Sequence, residues 1–336
     1  MPVIARLSAL VLAGVIATLP LSAQEGFRFT SGVELVNVTA TVTGRDGRFL
    51  TGLTREDFTI YDNGEPQEIT HFSSERVPVS LGIVLDASGS MADDKMQSAR
   101  AAINRFVTEL LGPDDEIFFM HFNEQAILGQ DWTQDRRAIA RAVARVNPLG
   151  GTGLYDAIAD ALPIAATGRH TKKAVLVISD GNDSDSRIQV GELRQAIRES
   201  EVLVYALGID GPGRGTSRTQ QRQPPPPPPS PFPGRGRRLP PFLPQILGGW
   251  SSSPSSDRVN ADALRQITDD TGGRTEIIRQ VRDLDPATAR IADELSRQYA
   301  LAYSSPGLRD GRWHEIRVEV SDRSATVRAR KGYISS

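Results

Sequence analysis

The feature that most constrains this chain is the run from Pro78 to Asp86, PVSLGIVLD. It is apolar almost without a break over the length of one strand, so it lacks the in-out alternation of a half-solvated strand. A strand of this kind is covered on both faces, which calls for a parallel sheet with helices packed on each side. The residues that follow have the alternation such a sheet needs. Met96, Ala99, Ile103, Phe106, Val107 and Leu110 recur at helical spacing until Gly112-Pro113 stops them, and Glu116 to Phe122 reads as the next strand. A helix carrying Ile139, Val143 and Val146 comes next, then a helix from Leu154 to Ala166, a strand from Ala174 to Ser179, a helix from Val190 to Ser200 and a strand from Val202 to Gly208. The expected fold class is α/β, a doubly wound and mostly parallel sheet whose ligands sit at the carboxyl ends of its strands.

Both flanks of this region read differently. Between Phe27 and Phe72 the pattern is period-two, with VELVNVTATV and FTIY separated by the turns Gly44-Arg45-Asp46-Gly47 and Asp62-Asn63-Gly64. Near the other end, Tyr299 to Tyr303, Trp313 to Val320 and Ala325 to Ala329 read as strands, with Ile316, Val318 and Val320 on one face. Each group has too few strands to stand alone, so the two are expected to form one small β-sandwich with the α/β domain inserted between them. The expected divisions are a β portion at 25–77, the α/β domain at 78–297 and the remaining β portion at 298–336. The domain itself is broken by a Pro/Gly/Ser/Arg-rich insert at 211–257, which contains the run Pro224 to Pro229. That composition is expected to be disordered, as a spacer or as a polyproline ligand for an aromatic groove.

Residues 1–23 have Arg6, an apolar run from Leu7 to Leu21 interrupted by Pro20, and small residues at Ser22-Ala23. This reads as a signal peptide, too short to span a bilayer, and predicts export to the periplasm or the cell exterior, with no transmembrane segment after its removal. The chain has no cysteine, which excludes disulfides, thiolate zinc sites and thiol nucleophiles. Its Lys and Arg total 39 against 41 Asp and Glu, a net charge of −2 that disfavours nucleic acid as a partner. His71, His121, His170 and His314 stand apart and form no HExxH pattern.

Directly after the buried run stands Asp86-Ala87-Ser88-Gly89-Ser90, a carboxylate and two hydroxyls on a loop that turns through glycine. Such a loop offers about half the oxygen octahedron that magnesium prefers, and it does so without accumulating negative charge. Thr152 in LGGTGLYDA and Asp180 in VISDGND stand at the positions from which the remaining ligands would converge.

These segments together resemble the von Willebrand factor A-type family, whose metal-ion-dependent adhesion site is written DxSxS, then a Thr, then an Asp. Asp86, Ser88, Ser90, Thr152 and Asp180 match that pattern. The resemblance implies a Rossmann-like fold, a Mg2+ or Mn2+ ion touched by the serine and threonine hydroxyls with the aspartates direct or through water, and a partner protein whose Asp or Glu carboxylate completes the sphere. LTREDFTIYDNGEPQEITHFSSE before the domain, with QYALAYSS and RARKGYI after it, resemble a bacterial exported subgroup of the same family. Asn123, Gly151 and Asp183 are candidate binding residues around the rim.

Each position also has a plainer reading. Ser88 and Ser90 could cap the helix near Asp93, Thr152 the helix at Leu154, and Asp180 could make an Asx turn. Asn123 reads more simply as loop, Asp183 and Asp185 as solvated loop carboxylates, and Asp156 as a support for the Gly151-Thr152 turn. The coincidence of all the segments at strand ends favours an adhesion-type binding module that is not an enzyme. The alternatives are a Mg2+-dependent phosphoester or ester hydrolase with Asp86 as nucleophile, and a metal-free envelope scaffold. The hydrolase lacks a second acid, since position 88 is serine, and neither GxSxG nor a P-loop lysine is present.

Overall fold

The computed structural model describes residues 34–210, 259–280, 283–305 and 310–335. The predicted signal peptide and proline-rich insert lie outside the described residues.

The chain begins with β1 (Glu34–Thr43), β2 (Phe58–Asp62), β3 (Glu65–Gln67) and β4 (Ile69–Ser73). The α/β region follows as β5 (Val79–Asp86), α1 (Asp94–Arg105), β6 (Glu116–Phe122), β7 (Ala126–Thr133), α2 (Arg136–Ala144) and α3 (Leu154–Ala166). It continues through β8 (Lys172–Ser179), α4 (Val190–Glu199), β9 (Leu203–Ile209), α5 (Ala261–Thr268), β10 (Thr275–Ile278) and α6 (Leu284–Arg297). The last strands are β11 (Tyr299–Ser305), β12 (Trp313–Val320), β13 (Thr326–Arg328) and β14 (Gly332–Ile334).

The central sheet runs β10-β9-β8-β5-β6-β7 and is parallel except for β7, which pairs antiparallel with β6. All of β5 is buried, as its unbroken apolar run requires. Leu81, Ile83 and Leu85 pack with Met96, Ile103, Phe106 and Ile291 in one hydrophobic layer. Val84 packs with Leu154, Ile158, Leu193 and Leu264 in the other. Two layers of helices on one mostly parallel sheet is the expected doubly wound arrangement.

The flanking strands form two antiparallel sheets, β13-β1-β11-β4 and β14-β12-β2-β3. Each contains strands from both ends of the chain. In the first, β1 pairs with β11 from Glu34 opposite Ser305 to Ala40 opposite Tyr299; in the second, β12 pairs with β2 from Ile316 opposite Asp62 to Val320 opposite Phe58. Val36, Val38, Ala40, Ile60, Leu301, Tyr303 and Ile316 share one core between these sheets. The α/β region is thus inserted between the strands of a small sandwich.

Some elements differ from the sequence expectation. The first helix leaves α-geometry after Arg105 and ends in a π-helical turn over Phe106–Leu110. The strands β7 and β10 were not expected at all. A polar joint ties α6 to the sandwich: the fully buried Glu294 carboxylate accepts from Thr41 Oγ1 at 3.3 Å and Tyr205 OH at 3.2 Å and pairs with Arg328 and Arg274.

Lys172, at the start of β8, is 5% exposed and donates from Nζ to the Leu295 carbonyl at 2.8 Å. Burial pushes its ammonium down from 10.5 to about 8. In the interval between those values the unfolded chain holds a proton that the folded protein has released. Stability attributable to this residue therefore rises with pH across that window. Relative to Lys172→Met, the wild type is expected to gain on the order of 1–3 kcal/mol between neutral pH and about pH 10 in urea unfolding. Identical pH slopes for the two proteins would rule this out.

Candidate metal centre

Sheet topology explains why Asp86 and Asp180 come together. β5 and β8 are parallel neighbours in register, Leu85 opposite Ile178, so the residues just past each strand leave the sheet side by side. Asp86 is completely buried. Its Oδ1 accepts from the Ser88 main-chain N–H at 2.9 Å and its Oδ2 from Ser179 Oγ at 2.6 Å. The loop it anchors turns so that Ser88 Oγ and Ser90 Oγ stand 3.0 Å apart, the first buried and the second exposed.

Thr152 reaches the same rim because its loop is laced to the first one. Leu149 N donates to the Ala87 carbonyl at 2.8 Å, and Gly89 N to the Gly150 carbonyl at 2.9 Å. Both described hydrogen-bond donations to side chains from Thr152 use its main-chain N–H, to Ser184 Oγ at 3.1 Å and Asp185 Oδ2 at 2.8 Å. A Cβ on Gly151 would lie 1.9 Å from Asp185 Oδ2 and would displace that carboxylate from the Thr152 N–H. The Gly151 N–H donates to Glu124 Oε1 at 2.9 Å. The Asn123 carbonyl accepts from Gly153 N at 2.6 Å, while its side chain accepts from Gln125 N at 3.2 Å. Asn123 therefore supports the glycine-rich loop through its backbone.

Asp180 is also completely buried. Its Oδ2 accepts from Lys95 Nζ at 2.9 Å, and its Oδ1 from Asn182 N at 3.3 Å and Asn182 Nδ2 at 3.1 Å. The Asx turn and the rim position are therefore both present in one residue. Asp183 is not a solvated loop carboxylate: its Oδ1 accepts from Leu154 N at 2.8 Å and Ser186 Oγ at 2.6 Å, which satisfies an amide in the first turn of α3 that has no partner within the helix. Asp156 does not hold the Gly151-Thr152 turn. It accepts from Arg187 N at 3.1 Å, Arg187 Nε at 2.9 Å and Ile188 N at 3.2 Å, fastening the loop after Asp180.

Electrostatics follow from this burial. Loss of water pushes the Asp86 carboxyl up to about 6, with the Asp180 charge adding to the shift and the hydroxyls of Ser179 and Ser88 opposing it. For Asp156, burial works against the charge and the hydrogen bonds from Arg187 outweigh it, holding the carboxyl below its usual range.

Among the described residues no three His, Cys, Asp or Glu side chains are placed to hold a metal ion. A cation at this rim would depend on hydroxyls. The donor set suits magnesium in that respect: oxygens about 2.1 Å from an octahedral ion lie about 3.0 Å from each other along an edge. Ser88 Oγ and Ser90 Oγ already have that separation, 3.0 Å. Sequence reasoning missed Lys95, Ser179 and Glu124, because each acts through a partner far along the chain.

The doubly wound sheet, with the Asp86, Thr152 and Asp180 loops at one rim, has the architecture of a von Willebrand factor A fold. Residues 81–182 match the family model of the von Willebrand factor type A domain. Domains of this type typically mediate protein interactions and are generally not enzymes.

An uncharacterized protein of Synechocystis sp. is 25% identical over 140 residues, covering 40% of this chain and 32% of the relative. Inter-alpha-trypsin inhibitor heavy chain H2 of Sus scrofa is 22% identical over 155 residues, covering 41% and 16%. The match thus spans about a third or less of these relatives' length. Among solved structures, BatB from Bacteroides thetaiotaomicron is similar with a TM-score of 0.45 and 20% identity, covering 65% of this chain and 97% of that one. A von Willebrand factor type A protein from Catenulispora acidiphila is similar with a TM-score of 0.46 and 15% identity, covering 91% and 75%. Among the described residues no helix is long and apolar enough to cross a membrane.

Proposed function

We propose that the chain is an exported, metal-ion-dependent protein-binding module. Ser88, Ser90 and Thr152 hold Mg2+ or Mn2+ through their hydroxyls, with Asp86 and Asp180 behind them acting through water. A bound ion supplies positive charge and an open coordination position at the rim. The carboxylate of an Asp or Glu on a partner protein takes that position. The observation that carries this reading is the 3.0 Å separation of the Ser88 and Ser90 hydroxyls, held in place by an aspartate whose two oxygens are already engaged by Ser88 N and Ser179 Oγ. Export rests on the signal-like composition of residues 1–23, and the compartment proposed is the periplasm or the outer face of the cell envelope. The same engagement of Asp86 weighs against a hydrolase, because a nucleophilic carboxylate needs a lone pair facing substrate and Asp86 has no exposed surface.

The test is calorimetry with MgCl2 on the wild type and on Ser88→Ala/Ser90→Ala. The wild type is expected to bind one ion and the double variant to bind at least about tenfold more weakly, the consequence of removing two oxygen ligands. Equal binding by the two proteins rejects the site. Capture of a protein from the envelope fraction is expected in Mg2+ and to be lost in EDTA and in Asp86→Ala.

A further inference from the structure

We propose that Lys95 is a tethered counter-cation of the rim, a positioning residue that holds Asp180 and sets the charge of the metal site. The inference rests on the metal-binding reading above. Lys95 lies in the first turn of α1, a place where a lysine ordinarily extends into water. Here its side chain is 7% exposed, and its Nζ is 2.9 Å from Asp180 Oδ2, a carboxylate that is itself 1% exposed. A buried ion pair in this position is not needed to fill the core, since a methionine of similar length would pack with less desolvation cost. Its effect falls on the rim.

Charge counting shows what that effect is. With Asp86 and Asp180 ionised and Lys95 protonated, these three groups sum to one negative charge. A divalent ion brings that sum to one positive charge, which attracts the carboxylate of a partner. Without Lys95 the groups sum to two negative charges. The ion is then held more tightly, and the loaded site is neutral and has little attraction for a carboxylate. Lys95 therefore weakens metal binding and strengthens partner binding. It also occupies Oδ2 of Asp180 while Asn182 occupies Oδ1, so both oxygens are committed inside the protein and Asp180 stands as an outer support.

The experiment compares the wild type, Lys95→Met, Asp180→Asn and the Lys95→Met/Asp180→Asn double variant. MgCl2 binding is measured by calorimetry, and acetate binding to the Mn2+-loaded proteins by solvent proton relaxation. Lys95→Met is expected to bind Mg2+ about tenfold more tightly than the wild type and acetate about tenfold more weakly, the result of removing one like charge from the rim. The double variant leaves neither member of the Lys95–Asp180 pair without its partner, so it remains informative if Lys95→Met does not fold. It is expected to bind Mg2+ about tenfold more tightly than Asp180→Asn, where Lys95 is left without its partner and repels the ion. Unchanged or weaker Mg2+ binding in Lys95→Met, or equal binding in the double variant and Asp180→Asn, overturns the proposal. The two readings fail separately. If Ser88→Ala/Ser90→Ala binds Mg2+ like the wild type, the hydroxyl ligands are wrong while the Lys95 ordering stands. If the wild type binds none but Lys95→Met does, Lys95 blocks the site and its proposed charge role is supported. If no variant binds an ion, both readings fall.

Discussion

Gly273→Ala is expected to destabilise the protein by about 4 kcal/mol or more. The cause is a close approach of backbone to backbone. After α5 the chain turns through Gly272, at φ +81°, and Gly273 leads into β10. A Cβ on Gly273 would lie 1.9 Å from the Val204 carbonyl oxygen and 2.8 Å from its carbon. Those atoms belong to β9, a buried strand of the central sheet, and cannot rotate aside as a side chain could. β9 is also pinned on both sides of that carbonyl, by Thr271 Oγ1 accepting from Val204 N at 3.0 Å and by the Arg274 carbonyl accepting from Ala206 N at 3.0 Å. Relief requires moving β10 off the sheet edge. Gly191→Ala provides the contrast: this α4 glycine has nothing within 4 Å of an added Cβ, and its replacement is expected to stabilise by about 0.5–1 kcal/mol through helix propensity alone. Urea unfolding of both variants measures the pair. A Gly273→Ala protein as stable as the wild type would mean that β10 does not lie against β9 as described.

A Gly-Gly pair after a helical pattern reads in sequence as a helix end, but the contact of Gly273 with Val204 has no local signal. The same division runs through the whole fold. β5, β6, β8 and β9 were legible because strands buried on both faces are apolar along most of their length, and runs of about seven or eight residues are too short for buried helices. β7, with the sequence AILGQDWT, was not legible. It is a half-exposed edge strand containing glycine and aspartate, and its conformation comes from the free hydrogen-bonding edge of β6 more than from its own residues. β10 is only four residues long and carries one buried side chain, too little to form a pattern.

At the site the local part was legible and the long-range part was not. Asp86, Ser88 and Ser90 are contiguous, so their grouping is visible in the sequence. Lys95 meets Asp180 across 85 positions, and in the sequence it looks like any lysine at the start of an amphipathic helix. The misreading of Asp183 has the same origin. The α3 amides that it satisfies, Leu154 and Tyr155, lie about 30 residues earlier in the chain, and only the folded rim brings them to its carboxylate.

Ending the chain after Ser296 is expected to abolish the order of the N-terminal strands, with amide exchange in β1 accelerated by about a thousandfold or more. The truncation removes the strands at the centre of both flanking sheets. β11 lies between β1 and β4, and β12 lies between β2 and β14. Without them β1 also loses β13, so its amides from Glu34 to Ala40 have no strand on either side, and β2 keeps only the three-residue β3. Val36, Val38 and Ala40 lose Leu301 and Tyr303, the side chains that close their core. The joint to α6 fails as well, because Gln298 and Arg328 leave and Thr41 is lost with the order of β1, while Glu294 keeps only Tyr205 and Arg274 around it. A buried carboxylate deprived of part of its compensation costs about 3–5 kcal/mol, so the damage extends from the sandwich into α6. β5 and β8 pair with each other and with β6 and β9, none of which is cut, so their amides are expected to exchange more slowly than those of β1. In the intact chain the inserted domain is tethered to one sandwich from both of its ends, β4 entering β5 and α6 leaving into β11, which fixes the direction in which the Asp86 and Asp180 rim faces. Hydrogen exchange in the truncated protein decides the point: β1 amides protected as in the full chain would show that the N-terminal strands hold together without β11, and the two-ended tether would have to be abandoned.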